Sequence, residues 1–422
     1  MTTLQEARQR LAMRLPASVT DDSDPGPKTY YLIGGASLLL LGIGVVMVLS
    51  ATTITSIRAN DGNPFADFLS QGRYVLIGLP LAFVASRIPV RWYRRLAWPA
   101  LILSFGLQIL IFTPLALSAG GNTNWIWIPG IGQSIQPSEF LKIGLALWLG
   151  LYLATQGNRI KEFRHMVIPL AVSGIAVGLV LGGHDLGTAL VLVMMIVGAL
   201  WIAGAPGWWF GVGGLAGLVA LAAAVVSSPS RMARVLDFLG VGSPDPTGAG
   251  YQSVHGLWGL GTGGFMGVGL GASREKWAYL PAAHNDFIFA IIGEELGLLG
   301  TLLVLGLFGV LAYGMLRLIR RHPDPFVKIT TFAIMAWIIG QALVNIGVVI
   351  GVIPVIGVPL PLVSAGGSAM ISTLIAFGIL LAFARDEPGA ASTLAVSPAS
   401  ARRSLAVVAT GIGSSLRRSR RG

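Results

Sequence analysis

The chain of 422 residues contains no cysteine, which excludes disulfides and thiolate metal sites and leaves the redox compartment open. Charge is scarce as well. Asp, Glu, Lys and Arg make up 11% of residues against 54% hydrophobic ones, and mean hydropathy is +0.75. A soluble domain carries roughly 25% charged residues, so that class is excluded. The alternating segments of a transmembrane barrel are missing too: stretches such as Leu186–Leu200 are continuously apolar. No metal-ligand cluster, serine triad or nucleotide motif is recognisable, and no inverted repeat of the transporter kind.

What is present is a series of apolar runs long enough to cross the hydrocarbon core. Ten spans are expected at about 30–52, 73–89, 96–113, 138–156, 166–182, 186–204, 207–227, 286–318, 328–350 and 367–385. The fold class is therefore all-α integral membrane: a polytopic bundle of about ten transmembrane helices. The longest loop, 228–285, lies outside the cytoplasm between spans seven and eight. Around the ten-span domain 30–385 lie a basic cytoplasmic tail, 1–29, and a disordered basic cytoplasmic tail, 386–422. With both ends in the cytoplasm, 22 of the 29 Lys and Arg residues fall on the cytoplasmic side, as the positive-inside rule requires. The net charge of +11 thus reports topology and not nucleic acid. The charged segment before the first span makes that span an expected uncleaved signal anchor. LQEARQRLAMRL suits a short basic amphipathic helix or a solvated tail, and the terminal RRSRRG could touch anionic lipids.

The remaining polarity crowds the outer side. Between Gly267 and Gly297 stand Arg274, Glu275, Lys276, His284, Asp286, Glu294 and Glu295, and charge beside a span is costly unless paired or used. Asp286 begins span eight. It is either a helix cap or a general base at the membrane surface, its pKa lifted by the apolar wall of Phe287, Ile288 and Phe289. His284 either orients loop or substrate or is a plain loop histidine. Glu294 and Glu295 lie roughly 12 to 14 Å deeper along a helix; they pair with a buried donor or line a polar cavity. Glu139 and Lys142, spaced i, i+3, can pair on one helix face, as internal stabilisation or as part of a cavity. Arg231, Arg234, Arg274 and Lys276 face outward against the topological preference. They could hold a pyrophosphate or attract lipid headgroups. The run GLGTGGFMGVGLG lacks the strand–loop–helix context of a phosphate cradle.

The stretch GLGASREKWAYLPAAHNDFIFAIIGEELG is joined by NWIWIPGIGQSIQPSEFLK, HDLGTA and VIPVIGVPLPLVSAGGSAM, in the expected order. Together they resemble the SEDS family (shape, elongation, division and sporulation proteins), integral-membrane peptidoglycan glycosyltransferases. The likeness covers roughly residues 30–385. The N-terminal extension and VPLPLVSAGGS are nearer to the division member than to the elongation member. The resemblance implies polymerisation of lipid II, the undecaprenyl-pyrophosphate-linked disaccharide pentapeptide, on the outer face of the cytoplasmic membrane at the septum. It makes Asp286 the base that deprotonates the acceptor's GlcNAc 4-hydroxyl. That hydroxyl attacks the anomeric carbon of the donor MurNAc, undecaprenyl pyrophosphate leaves, and the α linkage inverts to β-1,4.

The family's outer-loop tryptophan falls on Trp125, and Ser364 of VSAGGS joins the implied substrate contacts. Implied partners are lipid II, the growing lipid-linked glycan, a class B penicillin-binding protein transpeptidase and other division proteins. A divalent cation at the pyrophosphate is left open. Three departures stand out: Asn124 where the family has Arg before the Trp, Ala282 in LPAAH where it has Glu, and HND for HTD. A lipid II flippase would instead use Glu139, Lys142, Glu294 and Glu295 as a path across the bilayer, and a non-enzymatic scaffold would leave Asp286 dispensable.

Overall fold

The computed structural model describes residues 27–119, 122–128, 133–241, 249–277, 279–281 and 283–390. The expectations for the two tails, beyond residues 27 and 390, and for Ala282 lie outside the described residues. Ten helices are long and apolar enough to cross a membrane. In chain order these are α1 (Lys28–Ala59), α2 (Ala66–Arg87), α3 (Val90–Ile109), α4 (Pro137–Gln156), α5 (Phe163–Gly182), α6 (Leu186–Ala203) and α7 (Gly207–Val226). After two shorter helices, α8 (Pro229–Phe238) and α9 (Ala249–Gly263), come α10 (Ile288–Arg321), α11 (Pro325–Val349) and α12 (Gly367–Arg385).

Each expected span coincides with one of these helices, but three run well beyond the hydropathy limits. Helix α1 continues to Ala59, α2 begins at Ala66 and α3 at Val90. Hydropathy marks the hydrocarbon slab, whereas backbone hydrogen bonding carries a helix on through polar residues such as Arg58, Asp67 and Arg91. Proline sets several starts: Pro137 and Pro325 open α4 and α11, where a missing N–H costs nothing.

Helices α4, α6, α11 and α12 are the most enclosed of the spans. Trp148, Trp337, Phe326, Phe377 and Phe383 fill the space around them at 2% exposure or less. Without a hydrophobic drive between helices in lipid, close contact must come from small residues. Gly378 shows it: a Cβ there would lie 2.4 Å from the carbonyl oxygen of Ala82 on α2. Helix α7 is the opposite case, with no buried residue, and its all-round apolar surface suits lipid.

The loop between α3 and α4 departs from the all-α expectation. Strands β1 (Ala116–Ala119), β2 (Asn122–Ile128) and β3 (Gln133–Ile135) form an antiparallel sheet in the order β1-β2-β3. Its register pairs Leu117 with Trp125 and Trp127 with Ser134. The NTNWIWI segment of β2 alternates aromatic and β-branched residues, the composition that favours a strand. The 228–285 loop supplies α8 and α9. His255 of α9 meets Glu275 of the following turn, Nδ1 to Oε2, at 2.7 Å.

Candidate active site

Asp286 stands in the turns just before α10 and is fixed through its backbone. Asn345 Nδ2, on α11, donates to the Asp286 carbonyl at 2.7 Å and to the Val358 carbonyl at 2.7 Å. The Ser364 hydroxyl donates to the Asn285 carbonyl at 2.6 Å and accepts from the Leu360 N–H at 2.7 Å. The Ala365 N–H donates to the His284 carbonyl at 3.0 Å, and Gln341 Nε2 donates to the Pro359 carbonyl at 2.8 Å. Residues 284–286 are thereby stitched to the 351–366 loop.

The side chain of Asp286 is half-buried. Burial pushes its carboxyl up to about 6, an effect that Arg234 opposes and Asp185 reinforces. The expected apolar wall is in place: Phe287, Ile288 and Phe289 are at most 2% exposed. A carboxylate with that pKa can take a proton near neutral pH. Burial holds the His284 imidazole below its usual pKa, with Asp67 pulling the other way; this favours a neutral ring.

Asp185, from HDLGTA, was not singled out by the sequence, yet it organises the neighbouring wall. It caps α6 through Oδ1, which accepts from the Thr188 N–H at 2.9 Å. Its Oδ2 accepts from Asn124 Nδ2 at 2.9 Å, Gln136 Nε2 at 2.8 Å and Thr188 Oγ1 at 2.8 Å. The Asn124 departure is therefore absorbed locally as a neutral donor to a buried carboxylate. The Thr123 N–H donates to the Gly183 carbonyl at 2.9 Å, so the sheet, with half-buried Trp125 in β2, is pinned to the start of α6. Arg231 reaches the same place, Nη2 donating to the His184 carbonyl at 2.9 Å and Nη1 to the Ala224 carbonyl at 3.0 Å. Arg231, Arg234, Asp185, Asp286 and the 351–366 loop thus gather at one end of the bundle.

Several candidate contacts prove to be framework. Lys276 is 4% exposed, its Nζ donating to the Gly271 carbonyl at 2.6 Å, Glu295 Oε1 at 3.1 Å and Ser50 Oγ at 3.2 Å. It is no open cation for a pyrophosphate, because Glu295, buried in the span, takes its charge. Glu294 accepts from the Ser273 hydroxyl at 2.5 Å and the Arg274 N–H at 2.8 Å, so it pins the loop and does not line a cavity. Glu139 and Lys142 do pair, at 2.8 Å, in the bundle interior at 3% and 1% exposure. Ser372 donates to the free Glu139 oxygen at 2.7 Å, and Lys142 Nζ sits 4.5 Å from the centre of the Trp337 ring. Ser364 is 4% exposed and spent on backbone.

The glycine-rich run serves the helix and not a phosphate. Gly297, with φ +67° and ψ −161°, breaks α10 internally, and the carbonyls so released are taken up by the loop. The N–H groups of Val268 and Gly269 donate to the Glu294 and Glu295 carbonyls at 2.9 and 3.1 Å, and the Leu298 N–H to the Gly264 carbonyl at 2.9 Å. A Cβ on Gly267, at φ +81°, would lie 2.2 Å from the Glu295 oxygen; only glycine fits.

Asn345 and Gln341 also escaped notice, although the sequence carried a signal. Both are amides at i, i+4 within an apolar span, and polar side chains there need a task.

Fold and site together define a helical membrane protein with ten apolar helices of spanning length and a half-buried carboxyl of raised pKa at one mouth of the bundle. The family model described as "Cell cycle protein", which covers FtsW, RodA and SpoVE, matches residues 32–388. The chain belongs to that family. It is 39% identical over 369 residues to the "Probable peptidoglycan glycosyltransferase FtsW" of Mycobacterium tuberculosis, covering 87% of this chain and 70% of that one. To the "Stage V sporulation protein E" of Bacillus subtilis it is 36% identical, covering 83% and 95%. Among solved structures, Thermus thermophilus RodA matches with a TM-score of 0.63 at 27% identity, covering 85% of this chain and 97% of that one. A chain of a peptidoglycan synthase complex, solved for its coordination of polymerization and crosslinking, matches with a TM-score of 0.66 at 26% identity and the same coverages.

Proposed function

We propose that the chain is a peptidoglycan glycosyltransferase of the FtsW kind that polymerises lipid II at the division septum. Both termini lie in the cytoplasm, and the Asp286 mouth opens on the outer face of the membrane. The observation that carries the reading is Asp286 itself: a carboxyl with pKa about 6, its backbone clamped by Asn345 and Arg234 within electrostatic reach. Asp286 takes the proton of the acceptor's 4-hydroxyl as that oxygen bonds to the donor's anomeric carbon. The anomeric carbon–oxygen bond to the diphosphate breaks, and Arg234, with Arg231 at the same end of the bundle, offsets the leaving group's charge. We place any divalent cation on the diphosphate itself. The acceptor is the lipid-linked glycan or a second lipid II, and Trp125 lies on the sheet beside this mouth.

A flippase fits less well. The polar residues within the spans are spent on closed pairs, Glu139 with Lys142 and Glu295 with Lys276, and form no row of open sites. The partner is a class B penicillin-binding protein, a pairing consistent with the relative found in a synthase complex that joins polymerization to crosslinking. The test is glycan polymerisation from purified lipid II with and without that transpeptidase. Asp286→Asn should insert normally and form no glycan; retained polymerisation would falsify the base assignment. A transpeptidase that neither binds nor alters the rate removes the partner.

A further inference from the structure

The opposite end of the bundle, which the charge rule assigns to the cytoplasm, holds a cluster that the chemistry at Asp286 does not use. The last turns of α10 carry Arg317, Arg320 and Arg321 at i, i+3 and i+4, one helix face. Arginines elsewhere at this end, such as Arg91 and Arg95, are exposed. Arg317 is 5% exposed. Its Nε and Nη2 are buried with no hydrogen-bond partner among the described residues, as are Nε and Nη1 of Arg320 and Nη1 of Arg321.

The acids in the neighbourhood do not use up this charge. Glu387 pairs with Arg321 Nε at 2.6 Å and Asp386 lies 3.5 Å from His322 Nε2, while Asp324 is bound to Arg94. Burial raises the Glu387 pKa, Thr29 beside it lowers it, and Arg321 and Arg317 lower it further; one carboxylate therefore sits between two guanidiniums. Gly314, a turn earlier, packs on Leu32 and Ile33 of α1, which closes the side opposite the lipid. Buried guanidinium donors left unpaired are costly. The ligand that suits several converging forks is a tetrahedral oxyanion, with more acceptor positions than a single carboxylate has.

We infer that Arg317, Arg320 and Arg321 bind a phosphate-class oxyanion at the cytoplasmic end of α10, either the phosphodiester of an anionic lipid headgroup or free phosphate. Half-exposed Leu316 and exposed Tyr313 on the same turns put the site at the depth where headgroups meet hydrocarbon.

The full chain, purified in detergent, is titrated with phosphatidylglycerol or phosphatidylcholine and read by native mass spectrometry. In parallel its melting is followed in inorganic phosphate against chloride at equal ionic strength. Arg320→Gln is the informative variant, since it leaves the Arg321–Glu387 pair intact; Arg320→Lys keeps the charge. Wild type should retain phosphatidylglycerol over phosphatidylcholine, with Arg320→Gln about tenfold weaker, the loss of one charge-assisted hydrogen bond. Stabilisation by inorganic phosphate without lipid selectivity, abolished in Arg320→Gln, assigns the anion to solution and upholds the site. Equal retention of both lipids with no phosphate effect overturns it. So does a folded Arg320→Gln protein that matches wild type in both measurements.

Discussion

The pKa of Asp286 gives the sharpest prediction. A general base works in its deprotonated form, so kcat/KM should rise with pH through the pKa of the free enzyme's carboxyl. With that value pushed up to about 6, roughly 9% of Asp286 is ionised at pH 5 and about 90% at pH 7, a tenfold span. A carboxyl at the ordinary aspartate value of about 3.9 would be more than about 90% ionised at both, and the profile would be flat. Burial dominates the shift and Arg234 opposes it. Removing the cation in Arg234→Gln should therefore move the midpoint upward whatever it does to the amplitude. The assay is initial-rate polymerisation of labelled lipid II from pH 4.5 to 8, at limiting substrate and normalised to each variant's own maximum. A level wild-type profile between pH 5 and 7 refutes the reasoning; so does a wild-type midpoint that Arg234→Gln leaves in place or lowers.

Three further outcomes follow from the framework contacts. Lys276→Met leaves Glu295 buried without its cation, with only the Ser50 hydroxyl among the described residues donating to it, at a cost of about 3–5 kcal/mol; thermal melting should drop sharply, and adding Glu295→Leu should restore much of it. Gly267→Ala sets a Cβ 2.2 Å from a carbonyl oxygen at positive φ, so limited proteolysis should open the 264–277 segment; unchanged cleavage would contradict the packing. Asn345→Ala removes two hydrogen bonds at Asp286 and Val358, each contributing about 1 kcal/mol. It should slow polymerisation by roughly tenfold or more while membrane insertion is unaffected, and wild-type activity would show that the clamp is idle.

Much of this was legible in the sequence because lipid imposes simple rules. Apolar runs of membrane length marked every span, and Asp286 drew attention as an acid at a span's start in a chain with little charge. What escaped were relationships between distant segments. Lys276 and Glu295 are 19 positions apart in the chain, and nothing in their spacing shows that the lysine folds back under the glycine loop to meet a buried acid. Asp185 drew no notice within HDLGTA, because its partners Asn124 and Gln136 reach it from the sheet and the start of α4. The sheet itself was hidden inside a short loop whose alternating Trp and Ile residues resemble membrane-interface anchors as much as a strand.

The interruption at Gly297 has a consequence for how the glycine-rich segment before α10 must be regarded. Because residues 264–269 complete the hydrogen bonding of a severed transmembrane helix, that segment is a piece of the bundle and not an appendage resting on it. Exchanging it for a relative's loop without the matching half of α10 would leave main-chain groups stranded in hydrocarbon. Helix and loop are therefore inherited as a single unit, and the aspartate travels with both.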